Sequence, residues 1–155
     1  MSHFDVVVAG AGPAGCATAI GCAQKGLRVA LLEQAAFPRH RPGETLHPGV
    51  EPLLQHLQIN PLNYRRHPGH WVHWDGPPRF SSFSAGRAVA WQGFQAPRAL
   101  LDPQLLERAH AVGVQVTHLR QAGRVLQQHG RVRGVQAGTT QWTGQFVVDA
   151  TGRHH

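Results

Sequence analysis

The chain opens on an uninterrupted apolar run, Phe4–Ala9 (FDVVVA), rich in β-branched residues. Apolar side chains at consecutive rather than alternate positions predict a strand buried on both faces, as in a parallel sheet. Ala14–Gln24 then carries small, helix-compatible residues, and Gly26 is a natural helix stop. Leu27–Leu32 (LRVALL) repeats the buried-strand pattern and ends at Glu33. Together these segments predict a βαβ unit. Ala36–Leu46 reads as a loop, punctuated by Pro38, Pro42 and Gly43. Pro48–Leu57 places Val50, Leu53, Leu54 and Leu57 on one helix face, with Pro48 near the first turn. Asn60–Gly69 reads as irregular, and Trp71–Trp74, Phe80–Phe83 and Ala88–Phe94 as short aromatic strands. Ala99–Ala111 predicts a helix with Leu100, Leu101, Leu105, Leu106 and Ala109 inward. Val114–Leu119, Arg124–Gln128, Val132–Gln136 and Gln141–Ala150 read as strands, with a hairpin at His129-Gly130. The fold class expected is α/β: a Rossmann-like parallel sheet with a β-meander crossover at Val114–Gln136.

At 155 residues the length fits one domain. No apolar run approaches the roughly 20 residues a membrane helix requires. The start, MSHFDVVVAG, lacks a basic stretch before a long apolar run, so a secretory signal is not expected and the location expected is cytoplasmic. The formal charge is +7, yet Lys25 is the only lysine and the arginines are scattered, clustering briefly at positions 38–42 and 65–67. A nucleic-acid surface needs a continuous basic patch, so none is expected; an anionic ligand such as a pyrophosphate suits this balance. Cys16 and Cys22, six apart in the first helix, do not share a face and read as small buried residues. Twelve histidines are present, but none forms a set with Cys or carboxylates at metal-ligand spacing. His67, His70 and His73 recur every third residue, which in one strand would not share a face. No metal is expected, and the histidines read as solvated or loosely packed.

Gly10-Ala11-Gly12-Pro13-Ala14-Gly15 gives GxGxxG a specific context: it follows a strand, opens a helix, and lies in a βαβ unit with an acidic residue at the end of the second strand. Gly10 permits the tight turn, Gly12 lets backbone approach a pyrophosphate, and Gly15 lets the helix pack closely on the sheet. Pro13 sits at the first helical turn, where its missing N–H costs little. The helix N-terminus, including Ala14, offers N–H groups to phosphate. Glu33, 23 positions after Gly10 and followed by Gln34, is placed to accept hydrogen bonds from ribose hydroxyls. A dinucleotide is therefore the expected ligand.

Three further segments identify the chain by resemblance. Phe37–Leu46 (FPRHRPGETL) resembles the PR-x-R-x-GE-[ST]-L segment of the flavin-dependent halogenase and geranylgeranyl reductase-like flavoproteins, in the wider p-hydroxybenzoate hydroxylase-like superfamily. The resemblance implies that Arg41, Gly43, Glu44 and Thr45 lie beside the ribityl chain and flavin of FAD. Pro97–Asp102, followed by Leu105, Leu106 and Ala109, resembles the family's R-x-x-[FL]-D-x-x-L-L-x-x-A helix start, which implies that Arg98 contacts the cofactor. Asp102 would lie in the first helical turn, where an acidic group is favoured. Val147–Arg153 is similar to the family's DA-[ST]-GR motif, which implies that Asp149 and Gly152 return the chain to the dinucleotide. The implied function is that of an FAD-dependent oxidoreductase of monooxygenase type.

The chain also departs from these relatives. Halogenases carry an active-site lysine in the strand region after the GES helix; here the one lysine is Lys25, so halogenation is not expected. The stretch Gly43–Gly49 also resembles flavoproteins that mature quinone-cofactor amino-acid oxidases, which leaves either a small molecule or a protein side chain as substrate. The later FAD motif and substrate region of the family are absent, so the expectation is one incomplete FAD-binding domain over residues 1–155, truncated after the DATG segment. Residues 67–96 would belong to a substrate-binding sheet. Those strands would lack partners, and open edges invite pairing with a complementary chain or a second copy. The alternative is a non-catalytic remnant or subunit that binds nucleotide or a partner without turnover. An NAD-dependent dehydrogenase domain has no use for the RPGET and DATGR segments.

Overall fold

The computed structural model describes residues 2–37, 41–61, 63–86, 88–121 and 123–152. Pro38, Arg39 and His40 of the FPRHRPGETL segment, and Arg153 of DATGR, lie outside the described residues. In chain order the elements are β1 (Ser2–Ala9), α1 (Pro13–Gln24), β2 (Val29–Glu33), β3 (Glu44–Leu46), α2 (Glu51–His56, entered through a 3-10 turn Pro48–Val50), β4 (Arg65–His67), β5 (Gly69–Val72), β6 (Arg79–Ser82), β7 (Gly93–Ala96), α3 (Arg98–Ala111), β8 (Gln115–His118), β9 (Arg124–Gln128), β10 (Arg131–Ala137) and β11 (Thr140–Asp149). They form two compact units: Met1–Arg39 with Leu101–His155, and His40–Leu100.

The first unit is built on a six-stranded sheet of order β8-β2-β1-β11-β10-β9. β1 runs parallel to both β2 and β11, and β2 parallel to β8. The uninterrupted apolar runs explain this core. All five residues of β2 are buried, as are Val6, Val7 and Val8 of β1, so these strands are covered on both faces. Val7, Ala30, Leu32, Val135 and Trp142 pack into one cluster with Phe4. α1 buries only Gly15, Cys16, Ala19 and Ile20, and the small residues among them allow a close helix.

The meander differs from the sequence expectation. β8 is no part of it: the chain returns through α3 and adds β8 parallel to β2, while the antiparallel run is β9-β10-β11. A strand reached through a helix can come back parallel, whereas the His129-Gly130 turn forces a hairpin. On α3, Leu100 is exposed, and Asp102 is buried at 1% exposure beside Leu101, Leu105, Leu106 and Ala109. Asp102 is thus an interior residue that lies beyond the first turn of α3, not in it.

The second unit holds two small sheets. β7 lies between β3 and β4, and β5 pairs with β6. The aromatic strands therefore have partners within the chain, contrary to the expectation. Two segments read as loop or irregular, 44–46 and 65–67, are the strands that flank β7, and residues 88–92 are not strand. Of the α2 face, Leu54 is buried but Leu53 is exposed. Three of the histidines gather on one ring: His47, His67 and His70 each meet Phe83, with centroids 4.9, 5.4 and 5.3 Å away. His67 and His70 reach one ring because Pro68 separates their strands.

Arg66 ties α2 to β4. Its guanidinium donates twice to Glu51, at 2.7 Å each, and its Cζ lies 5.2 Å from the centre of the Phe94 ring. The paired hydrogen bonds from Arg66 hold the Glu51 carboxyl below its ordinary value of 4.5. A depressed folded-state pKa contributes stability that is present above the ordinary value and is lost as pH falls through the lowered one. Melting temperature should therefore fall as acid is added below about pH 5. Glu51→Gln should flatten part of that slope and cost about 1 kcal/mol at neutral pH, the ion pair being partly solvated. Thermal melts of both proteins across the acid range check this; superimposable slopes would refute it.

Candidate functional site

β1 ends at Ala9, and the carboxyl ends of β2, β1 and β11 lie side by side. The backbone there is stitched together: Gly10 N–H donates to the Leu32 carbonyl at 2.7 Å, and Ala150 N–H to the Ala9 carbonyl at 2.8 Å. Gly10 adopts φ +100°, a region that favours glycine. A Cβ at Gly10 would run into the Ala150 carbonyl, and one at Gly15 into the Gly10 carbonyl. The turn thus exists because these two positions lack side chains. Gly12 is the N-cap of α1, with extended backbone and no side-chain cap, and Pro13 follows. The first-turn N–H groups of α1 have no partner in the helix itself and no side-chain cap, and Ala14 there is exposed.

Glu33 ends β2 and is 7% exposed. One carboxylate oxygen accepts from Ala11 N–H at 2.8 Å; the other accepts from Gln34 N–H and Ala35 N–H at 2.9 and 2.8 Å. On the other flank, Asp149 Oδ1 accepts from Thr151 N–H at 3.0 Å and from Thr151 Oγ1–H at 2.6 Å. Asp149 therefore shapes the turn into Gly152, which has φ +88°. The sheet brings Gly10, Gly12, Pro13, Ala14, Gly15, Glu33, Gln34, Asp149 and Gly152 to one end of this unit.

The remaining predicted residues belong to the second unit. Glu44 and Thr45 pair with Ala96 and Gln95 across β3 and β7. Gly43 lies so close to the Ala96 carbonyl that a Cβ would sit 3.3 Å from it. Arg98 Nη1 donates to Glu44 Oε1 at 2.7 Å, joining two motifs that the sequence holds 54 residues apart. Arg41 is exposed. Three residues escaped the sequence reading: Ala11, whose N–H meets Glu33; Cys16, whose thiol donates to the Ala11 carbonyl at 3.3 Å; and Thr151. Only the small size of Ala11 and Cys16 hinted at close packing.

Residues 5–76 match the family model described as FAD dependent oxidoreductase. Over that stretch the chain is similar to the FAD-dependent oxidoreductase family. Among its relatives are the flavin-dependent halogenase armH4 of Armillaria mellea, 33% identical over 74% of this chain and 23% of that protein, and the probable electron transfer flavoprotein-quinone oxidoreductase YgcN of Escherichia coli (strain K12), 34% identical over 96% of this chain and 36% of that protein. The FAD-dependent halogenase structure CndH superposes on all of this chain and 38% of its own, with a TM-score of 0.88 and 29% identity. The chain thus spans between 23% and 38% of the length of these proteins. Family and relatives together indicate FAD as its cofactor. The donor set fits the ADP part of that group: uncapped helix N–H groups for pyrophosphate, a carboxylate at the end of β2 for ribose, and backbone that a Cβ would obstruct.

Proposed function

We propose that this domain holds FAD for a flavin-dependent oxidoreductase of monooxygenase type. The observation that carries this reading is the turn at Gly10–Gly15 with Glu33 beside it and the Asp149–Gly152 segment packed on Gly10. In it, the N–H groups around Gly12, Ala14 and Gly15 bind the pyrophosphate, Pro13 fixes the helix entry, and Glu33 with Gln34 takes the ribose. Asp149 orders the Gly152 turn next to the dinucleotide. Arg41, Gly43, Glu44, Thr45 and Arg98 are assigned to the flavin end by the resemblance of their motifs, with the Arg98–Glu44 pair holding the GET strand in place. Residues 67–96 are assigned to a substrate-binding sheet on the same ground. Bound flavin supplies the electron transfer and oxygen chemistry; the protein orients it and excludes water. The single lysine, Lys25, sits at the C-cap of α1, which favours oxygenation over halogenation.

The substrate is a small molecule or a protein side chain. No described helix is long and apolar enough to cross a membrane. Cys16 and Cys22 are both thiols, which suits the reducing cytoplasm. The family match and the intact turn favour a working oxidoreductase domain over a non-catalytic remnant. The test is the visible spectrum of the purified chain after incubation with FAD and desalting. Flavin bands near about 375 and 450 nm are expected. A folded, colourless protein would overturn the reading.

A further inference from the structure

The Glu33 carboxylate is occupied in a way that ribose recognition does not require. Its two oxygens accept three backbone N–H groups, and one of them, from Ala11, comes from within the phosphate-binding turn. The bonds to Gln34 and Ala35 hold the other carboxylate oxygen, so the group meets Ala11 as a fixed acceptor. Ala11 is completely buried, and its carbonyl accepts the Cys16 thiol. The two peptide planes that meet at Ala11 are therefore held separately. Glu33 fixes the Gly10–Ala11 plane through its N–H, and Cys16 fixes the Ala11–Gly12 plane through its carbonyl. Because a peptide unit is planar, fixing that carbonyl also fixes the direction of the Gly12 N–H on its opposite side. Fixing the first plane sets the Gly10 carbonyl, against which Gly15 packs.

We propose that Glu33 is a positioning residue for the phosphate-binding turn: it acts on the pyrophosphate through the Ala11 amide, with Cys16 as the second grip on the same residue. This rests on the ADP-site reading above and adds a role that is independent of ribose. The two roles make opposite predictions for a ligand without ribose hydroxyls. If Glu33 served the ribose alone, removing its negative charge would leave such a ligand unaffected or bind it more tightly, since a carboxylate repels phosphate. If Glu33 holds the turn, removing it weakens that ligand too.

The experiment is calorimetry of the full chain with ADP and with 2′,3′-dideoxyadenosine diphosphate, alongside amide exchange at Ala11 in the protein without ligand. Glu33→Ala should weaken the dideoxy ligand by about tenfold, the scale of a hydrogen bond to a charged group. It should also speed Ala11 exchange by about tenfold or more. Glu33→Gln, which keeps one acceptor, should fall between, and decides the matter if Glu33→Ala does not fold. Cys16→Ala should weaken both ligands by a few fold and Cys16→Ser should restore them, since the hydroxyl replaces the donor. Unchanged dideoxy affinity in the Glu33 variants, or unchanged Ala11 exchange, overturns the proposal. If the wild-type chain binds neither nucleotide, the ADP-site reading fails, and Ala11 exchange alone then decides whether Glu33 holds the turn.

Discussion

Gly15→Ala should abolish FAD retention and destabilise the chain by about 3 kcal/mol or more, the upper range for overpacking where neighbours cannot move aside. The added methyl would be driven into the Gly10 carbonyl, with the Gly10 carbonyl carbon 3.0 Å away and the Ala150 methyl 3.3 Å away. Neither residue is free to yield. Gly10 N–H is bonded to Leu32, and Ala150 N–H to Ala9, so displacing the Gly10 peptide pulls on β2, β1 and β11 together. The same helix supplies the control. A Cβ at Gly21 has nothing within 4 Å, so Gly21→Ala should stabilise α1 by about 0.5–1 kcal/mol, the ordinary helix preference of alanine over glycine. Urea midpoints and flavin absorbance after desalting measure both. Equal FAD retention in Gly15→Ala and wild type would show that the turn is not where the phosphates bind.

The contrast between Gly15 and Gly21 also marks what a sequence can carry. GxGxxG, the apolar strands and Glu33 were legible because each obeys a local rule: spacing, periodicity, or the residue that a positive φ demands. The interior of the second unit was not. β3 and β4 are three residues each, with no strand-like pattern of their own, and exist because β7 pairs with both. Gly93 makes that possible, since a side chain there would strike the Leu46 carbonyl and the His67 ring. Glu33 was read correctly in position but incompletely in partners, because a backbone N–H has no sequence signature. Asp102 was misplaced for a related reason: helical spacing put Leu100 inward, and burial of a carboxylate can be decided only by the side chains packed around it.

Phe94→Ala should cost about 3–5 kcal/mol, the range for deleting a buried aromatic ring. Phe94 is fully buried on the central strand of its sheet, in register with Leu46 on one side and Arg66 on the other. Tyr64 stacks against it, with ring centres 6.0 Å apart, and Arg66 lies over its face. The lost ring therefore removes more than its own area. It takes away the surface that positions Arg66, and with it the guanidinium that Glu51 needs. Phe94→Leu, which fills most of the volume but offers no ring face, should recover the larger part of the stability and leave the Arg66 contribution missing. Combining each variant with Glu51→Gln separates the terms: in Phe94→Ala the second substitution should cost less than it does in wild type, because the pair is already loosened. Urea unfolding followed by tryptophan fluorescence, with amide exchange at Leu46 and Arg66, measures the loss and where it falls. A cost below about 1 kcal/mol, the scale of an ordinary surface change, would mean that Phe94 does not organise this sheet and that β3 and β4 are held from elsewhere.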